Sequence, residues 1–536
     1  MSVSLMADDP NPENLESSVF RINQRVHAAG DSLRVGTVKY IGQVEGYTGI
    51  WVGVDWDNEE GKHDGFINGS RYFQAKSETS GSFIRPNKLC LGITILQALE
   101  IRYRSTSTKE EEDEMYVLSS SNKRVIVELL GKDKIEDRLS HFEDLTNASL
   151  PYLGISSPGP PGQLNAAVPS LKELDMTGNL LSEWMDIGAI CKELPALSAL
   201  NLSNNILAHD ILGFPQVKEI RILVLNSTGL SWTEVETLEH SLPTLEELHL
   251  RGNKLSSIKS IPPSITVQGF DSLLLLNLED NCISDWNEIL KLSQLRRLEQ
   301  LYLNKNTLNK IWYPDHGNNH QPFQNLRCLL LGSNNISDLA SVDSLNSFPS
   351  LVDIRLTDNP VTDQRKGGVP RFSLVARLAK VELLNGSEVK TRERKDSEIW
   401  YVRLVMSKLH DNPEEIQYHP RFYELKDLHG IEDVRTAVGA SGPQKMASGL
   451  ISVTLKCIGA SIGEKPPQTK KLPANTTVGK LKILCESFFK LKSIKPVLLL
   501  QEEGSPFPVL LDDDDMASLI EVGVGNGSTI LVDEER

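Results

Sequence analysis

One pattern, L-x-x-L-x-L-x-x-N-x-L, returns through the middle of this 536-residue chain and leaves few folds open to it. It reads LKELDMTGNLL from Leu171, LSALNLSNNIL from Leu197, LEELHLRGNKL from Leu245, LLLLNLEDNCI from Leu273 and LEQLYLNKNTL from Leu298. LRCLLLGSNNI from Leu326 and LVDIRLTDNPV from Leu351 follow, and a weaker copy from Ile220 carries Thr228 where the others carry asparagine. The eight starts lie 23 to 28 residues apart, too regular for coincidence. A unit this short cannot bury its leucines alone, so successive units must stack into one continuous core. The asparagines (Asn179, Asn205, Asn253, Asn281, Asn306, Asn334, Asn359) are expected inside. There a carboxamide can satisfy backbone groups of the neighbouring turn that would otherwise be buried unpaired. Trp184, Trp232 and Trp286 follow their repeats at similar offsets and are expected to pack on the back of the stack.

This period is that of an α/β leucine-rich repeat solenoid. A degenerate copy around Leu145 is expected to cap its start, and RLAKVELLNGSEVKTRER from Arg377 resembles the strand and helix that close many such arrays. Strand alternation turns the third, fifth and seventh positions of each repeat onto the concave face. Its central column reads Asp175, Asn201, Val224, His249, Asn277, Tyr302, Leu330, Arg355, with apolar spots at Ile222 and Val224 and at Cys328 and Leu330. A mixed surface of this kind suits a folded protein partner better than a polyanion. His249 has no second ligand at metal spacing, so no metal site is expected.

Ahead of the repeats, VGTVKYIG, GIWVGVDWD and GSFIRPNKL alternate between glycine-rich turns, which predicts a small antiparallel β-barrel. Between Gly61 and Gly92 stand five basic residues against two acidic ones, a local excess of +3 that points to an acidic partner. Gly61, Gly65 and Gly69 would let a ligand approach the backbone, and exposed N–H groups beside Lys62 would suit a terminal carboxylate. The order GTVKYIG, GIWVGVDWD, GKHDG, RYF, GSFIRP resembles a CAP-Gly domain. His63 replaces the usual asparagine of the loop, and Phe66 a small polar residue. The resemblance implies binding of acidic C-terminal tails that end in an aromatic residue, as on α-tubulin. By position it assigns Lys62, His63 and Asp64 to the loop that meets the tail, with Phe83 and Arg85 nearby. Read from the residues alone, Trp51, Trp56, Phe73 and Phe83 either line an apolar slot beside the loop or fill the core of a small barrel.

At the other end, ISVTLKCI, KKLPANTTVGKLKILCESFFKL, VLLLQ and STILVDE follow a β-β-α-β-β order with Thr477 as the expected helix N-cap. This resembles a β-grasp ubiquitin-like domain. The chain ends VDEER without a Gly-Gly tail, so an interaction module is expected rather than a conjugated one. Asp512 to Asp515 reads as a solvated loop.

The chain is therefore multidomain: a flexible N-terminus (1–24), CAP-Gly domain (25–92), linker (93–140), solenoid with caps (141–410), helical segment and linker (411–449) and ubiquitin-like domain (450–536). The net charge of −16 excludes a general binder of nucleic acid or of anionic membranes. Six scattered cysteines without a CxxC pair, no apolar leader and no apolar run long enough for a bilayer predict a cytoplasmic protein. No P-loop, dinucleotide fingerprint, HExxH or nucleophile elbow is present, so neither an enzyme nor a cofactor is expected. The three modules in this order resemble the tubulin-folding chaperones. That implies capture of α-tubulin by its acidic C-terminal tail, work with other tubulin-folding cofactors in assembling and dismantling the α/β heterodimer, and association with the cytoskeleton. A microtubule-associated or plus-end protein, and an adaptor delivering tubulin to the proteasome through the ubiquitin-like domain, stay open as alternatives.

Overall fold

The computed structural model describes residues 20–104, 116–118, 124–126, 141–431 and 450–534, apart from 212–213, 259–265, 268, 315–320, 364–365, 459–464, 474, 492–494, 502–507, 512–514 and 521. The N-terminal 19 residues, the acidic stretch from Ser105, the loose segment from Ala437 and most of the run from Asp512 lie outside the described residues. The chain divides into two compact units that part within the repeats, near Leu255 to Leu274.

The first unit opens with five antiparallel strands in the order Gly81–Ile84, Tyr47–Trp56, Asp31–Val44, Arg25–Ala28, Leu89–Cys90. The sheet is open: among the described residues no pairing joins its two edges, so the expected barrel is corrected to a curled sheet. Alternation along the strands gathers Val26, Val38, Val52, Val54, Trp56 and Leu89 into its core.

Residues 93–104, expected in a linker, instead bind this sheet to the repeats. Ile93 and Thr94 pair in parallel with Ile155–Ser157. The helix Ile95–Tyr103 starts from a Thr94/Gln97 capping box and buries Ile95, Ala98 and Leu99. The Tyr103 hydroxyl accepts the Ser149 N–H at 2.8 Å. Gly92, at φ +91°, has no room for a side chain, because a Cβ would fall 2.4 Å from the Gly154 carbonyl oxygen. The Pro- and Gly-rich stretch after Ile155 lies in the first turns of the solenoid.

Within each unit, every repeat contributes a three-residue strand paired in parallel and in register with the next. In the first unit these are Glu173–Asp175, Ala199–Asn201, Ile222–Val224 and Glu247–His249, preceded by the capping strand Asn147–Ser149. In the second they are Leu275–Asn277, Gln300–Tyr302, Cys328–Leu330 and Asp353–Arg355. The leucine column is buried throughout, and so are all seven asparagines. Asn253 has the fullest set of bonds between turns. Its amide donates to the Leu225 and Leu250 carbonyls, while its oxygen accepts from the Thr228 and Gly229 N–H groups. The Thr228 hydroxyl stands in for the missing carboxamide, donating to the Leu225 carbonyl at 3.0 Å within its own turn and to Asn253 Oδ1 of the next at 3.1 Å. Each of the three tryptophans is the first residue of a helix and is buried, and Trp184 and Trp286 donate to the Ala208 and Trp312 carbonyls.

The second unit ends its repeats with the helix Arg371–Arg377, the short strands Leu383–Leu384 and Ser387–Glu388, and the helix Thr391–Asp411. Beyond them, five strands in the order Gln468–Pro473, Leu450–Cys457, Thr529–Glu534, Pro496–Gln501, Val509–Leu510 pack on the helix Val478–Phe489. The first and last long strands run parallel, the mark of a β-grasp. Thr477 caps that helix by accepting the Lys480 N–H at 3.3 Å, and Trp400 of the cap helix packs against the core. No described helix is long and apolar enough to cross a membrane.

Candidate functional site

The strand Tyr47–Trp56 separates its own side chains by parity. Val52, Val54 and Trp56 point into the core, while Trp51 and Gly53 share the opposite face. Register sets Tyr40 and Phe83 on either side of Gly53. Gly53 is needed there: a Cβ would meet the Phe73 ring at 2.5 Å and Tyr40 at 2.9 Å. Into the space it leaves, Tyr40, Tyr72, Phe73 and Phe83 assemble edge to face, with ring centroids 5.2 to 5.9 Å apart. Phe73 is buried and the other three are half-buried, so the cluster is at once core and surface.

His63 extends this platform. Its ring lies 5.1 Å from Phe83 and 6.1 Å from Phe73. Its Nδ1 accepts the Gly65 N–H at 3.0 Å, which places the ring proton on Nε2 and leaves that N–H as an outward donor. Burial holds the imidazole below its ordinary value, with Lys62 pushing the same way against Asp64. A neutral imidazole thus fills the asparagine's place as a donor. Lys62 beside it is exposed, and its ammonium makes no ion pair among the described residues. Asp64 is engaged within the loop: Arg71 binds it at 2.7 Å and, by that hydrogen bond first, holds its carboxyl below the usual range.

Four of the backbone N–H groups expected to form a free cradle are spent within the loop. The Lys62 and His63 N–H groups both donate to the Gly81 carbonyl, at 2.7 and 3.1 Å, and Gly81 returns a 2.7 Å bond to His63. The Gly65 and Phe66 N–H groups are taken by His63 and Asp64. Gly61 and Gly65 serve this internal bracing, since a Cβ would lie 2.5 Å from the Ser80 and Gly81 oxygens or 2.1 Å from the Phe73 oxygen. The donors offered to a ligand are therefore the Lys62 ammonium and the His63 Nε2–H.

Of the seven residues expected at a tail site, Trp51, His63, Phe83 and Arg85 lie on this face, Lys62 and Asp64 flank His63 in the loop, and Trp56 lies elsewhere. At 1% exposure it is core, with Arg34 stacked at 4.7 Å. Arg85 lies flat on Trp51 at 3.8 Å and donates to the Ile50 carbonyl, so it stiffens the wall of the face. The sequence reading missed Tyr40 and Tyr72. Alternation of VGTVKYIG puts Tyr40 on the same side as Val38; a shift in strand register between the two turns it to the opposite face, and Tyr72 depends on a loop that has no period.

On the strand face of the repeats, Asp175, Asn201 and Asn277 accept N–H groups from two residues on, so their side chains fold back on their own turns. His249 lies 3.5 Å from Glu247, and Tyr302 donates to Gln300. Val224 and Leu330 are half-exposed and Arg355 is exposed. Among the described residues no cluster of His, Cys, Asp and Glu could hold a metal ion.

Family models agree with the modules. The CAP-Gly domain matches residues 22–89 and a leucine-rich repeat model matches residues 277–405. Tubulin-folding cofactor E of Arabidopsis thaliana is 63% identical over 523 residues, covering 96% of this chain and 98% of that protein. Tubulin-specific chaperone E of Danio rerio is 31% identical, and that of Homo sapiens 30%, each covering 95% of this chain and 98% of the relative. The solved C-terminal ubiquitin-like domain of mouse tubulin-specific chaperone E matches at 25% identity and a TM-score of 0.16, over 18% of this chain and 96% of that one.

Proposed function

The chain belongs to the tubulin-folding cofactor E family, and from that premise we propose how its modules divide the work of a tubulin-folding chaperone. The CAP-Gly face takes the acidic C-terminal tail of α-tubulin. The strand face of the solenoid grips the folded body, and the ubiquitin-like domain engages another cofactor or the degradation machinery. The protein acts in the cytoplasm, in contact with the cytoskeleton, by binding and without a chemical step. It assembles the α/β heterodimer with other cofactors and can take it apart.

One observation carries this reading: an exposed lysine and an imidazole N–H border a half-buried shelf of three aromatic rings. The shelf suits an aromatic side chain, and the two donors suit the carboxylate that ends the same residue. A tail site of modest strength gains from a second site on the same chain through effective concentration.

The test is size-exclusion chromatography of the full chain with native α/β-tubulin and with tubulin lacking its last α residue. A complex holding α- but not β-tubulin, weakened by loss of that residue, is expected. Lys62→Ala should lower affinity for the tail peptide about fivefold. Stable capture of intact heterodimer, or no dependence on the terminal residue, would favour a microtubule-associated protein.

A further inference from the structure

The second unit carries a depression of about 460 Å³ on its strand face, a volume that suits two or three side chains rather than a domain. Register builds it. Gln300, Cys328 and Asp353 form one row across three strands, and Tyr302, Leu330 and Arg355 form the next.

Its floor is chemically quiet. The Cys328 thiol donates to the Asp353 carboxylate at 3.3 Å, and burial first, then Asp353, pushes it up to about 12, so it stays a neutral apolar surface. The Tyr302 hydroxyl is engaged by Gln300 at 2.7 Å, which leaves its ring to the depression beside Leu330.

The rim is different. Arg327 and Arg355 both line the depression and are exposed, and among the described residues neither guanidinium has a hydrogen bond or an ion pair. Three other arginines of the repeats and cap are matched: Arg221 to Glu246 at 2.7 Å, Arg371 to Glu393 at 2.7 Å and Arg377 to Asp343 at 2.6 Å. Gly386 lies beside Arg355, where a Cβ would sit in ordinary contact at 3.7 Å from its Nη2. Glu299 and Asp353 share the lining, so the surface is amphoteric and not a general anion trap. It selects a carboxylate placed next to an apolar group, because only that pair meets an unengaged guanidinium and the Leu330–Cys328 floor together.

We infer that this depression is the docking site for a short acidic-apolar segment on the folded body of tubulin, separate from its C-terminal tail. A carboxylate of that segment pairs with Arg355 or Arg327, and the neighbouring apolar side chain rests on Leu330 and Cys328. This rests on the proposed function and deepens it by naming the second contact.

The experiment uses the full chain and tubulin from which the C-terminal tails have been cleaved, with affinity read by biolayer interferometry, and an isolated tail peptide as the parallel probe. The double variant Arg327→Glu, Arg355→Glu should bind tailless tubulin about tenfold more weakly and the tail peptide as wild type does. Arg355→Gln, a milder change at an exposed position, should lose severalfold and keep the wild-type melting temperature. Unchanged affinity of both variants for tailless tubulin would overturn the inference and leave the tail reading standing. Wild type that binds intact but not tailless tubulin would overturn it equally. Failure of wild type to bind either form would remove the functional reading and the inference with it.

Discussion

Trp51 and Trp56 stand five residues apart on one strand, and that odd separation sends them to opposite faces. Trp56 fills the core between Val38, Val52 and Val54, whereas Trp51 lies under Arg85 at the surface. Trp56→Ala should therefore cost about 3–5 kcal/mol of stability by the cavity it leaves. Trp51→Ala should cost less than about 1 kcal/mol and instead weaken tail binding. Urea unfolding and peptide titration of the two variants check this, and equal losses of stability would refute the assignment. The pairing of Trp56 with Trp51 as slot residues was avoidable, because parity alone distinguishes them. The fate of the loop N–H groups was not. The acceptor of the Lys62 and His63 N–H groups, Gly81, lies 18 residues beyond His63, and no period links the two.

Among the elements, the C-terminal cap shows what local pattern leaves out. Its helices are legible from apolar spacing, yet they close over a polar cluster drawn from distant positions. Arg377, 1% exposed, binds Asp343 at 2.6 Å and the Tyr418 carbonyl at 2.6 Å. His419 Nδ1 accepts from the Tyr401 hydroxyl at 2.8 Å and lies 3.2 Å from Arg377 Nη2, so it has no room for a proton. Burial first, then Arg377 and Lys408, lower this imidazole to about 4. Because the folded value lies below the ordinary one near 6.5, the unfolded chain takes the proton first as pH falls. The stability this histidine supplies is thus complete above about 6.5 and is lost progressively down to about 4, by on the order of 3 kcal/mol. Denaturant unfolding of the wild type and of His419→Gln across that range should give a steeper wild-type slope. Parallel slopes would assign the acid sensitivity to other groups.

For the molecule as a whole, the notable difference from expectation lies in residues 93–104, which join the CAP-Gly sheet firmly to the first repeats. A firm joint would keep the proposed tail site at a constant position relative to the repeats of the same unit, so that binding at one would raise the effective concentration at the other without the cost of ordering a tether. Gly92→Val should loosen it by about 2 kcal/mol, through overpacking against Gly154 and strain at positive φ. Hydrogen exchange should then quicken at Ile93, whose N–H donates to Gly154 at 2.9 Å, while tail-peptide affinity stays unchanged. Unaltered protection there would show that the joint bears no load. By itself the sequence determined the stacked repeats, the buried asparagines, the β-grasp order and the glycine-rich loop with its lysine. Each of these is written in spacing along one chain, and burial and strand parity act over a few residues. Only the tertiary structure decided that the sheet stays open, that four of the loop's N–H groups are consumed within it, that residues 93–104 form a joint, and that Arg327 and Arg355 are left unpaired. Hydrogen bonds and ion pairs act over about 3 Å in space, and which groups come that close is set by packing between segments far apart in sequence.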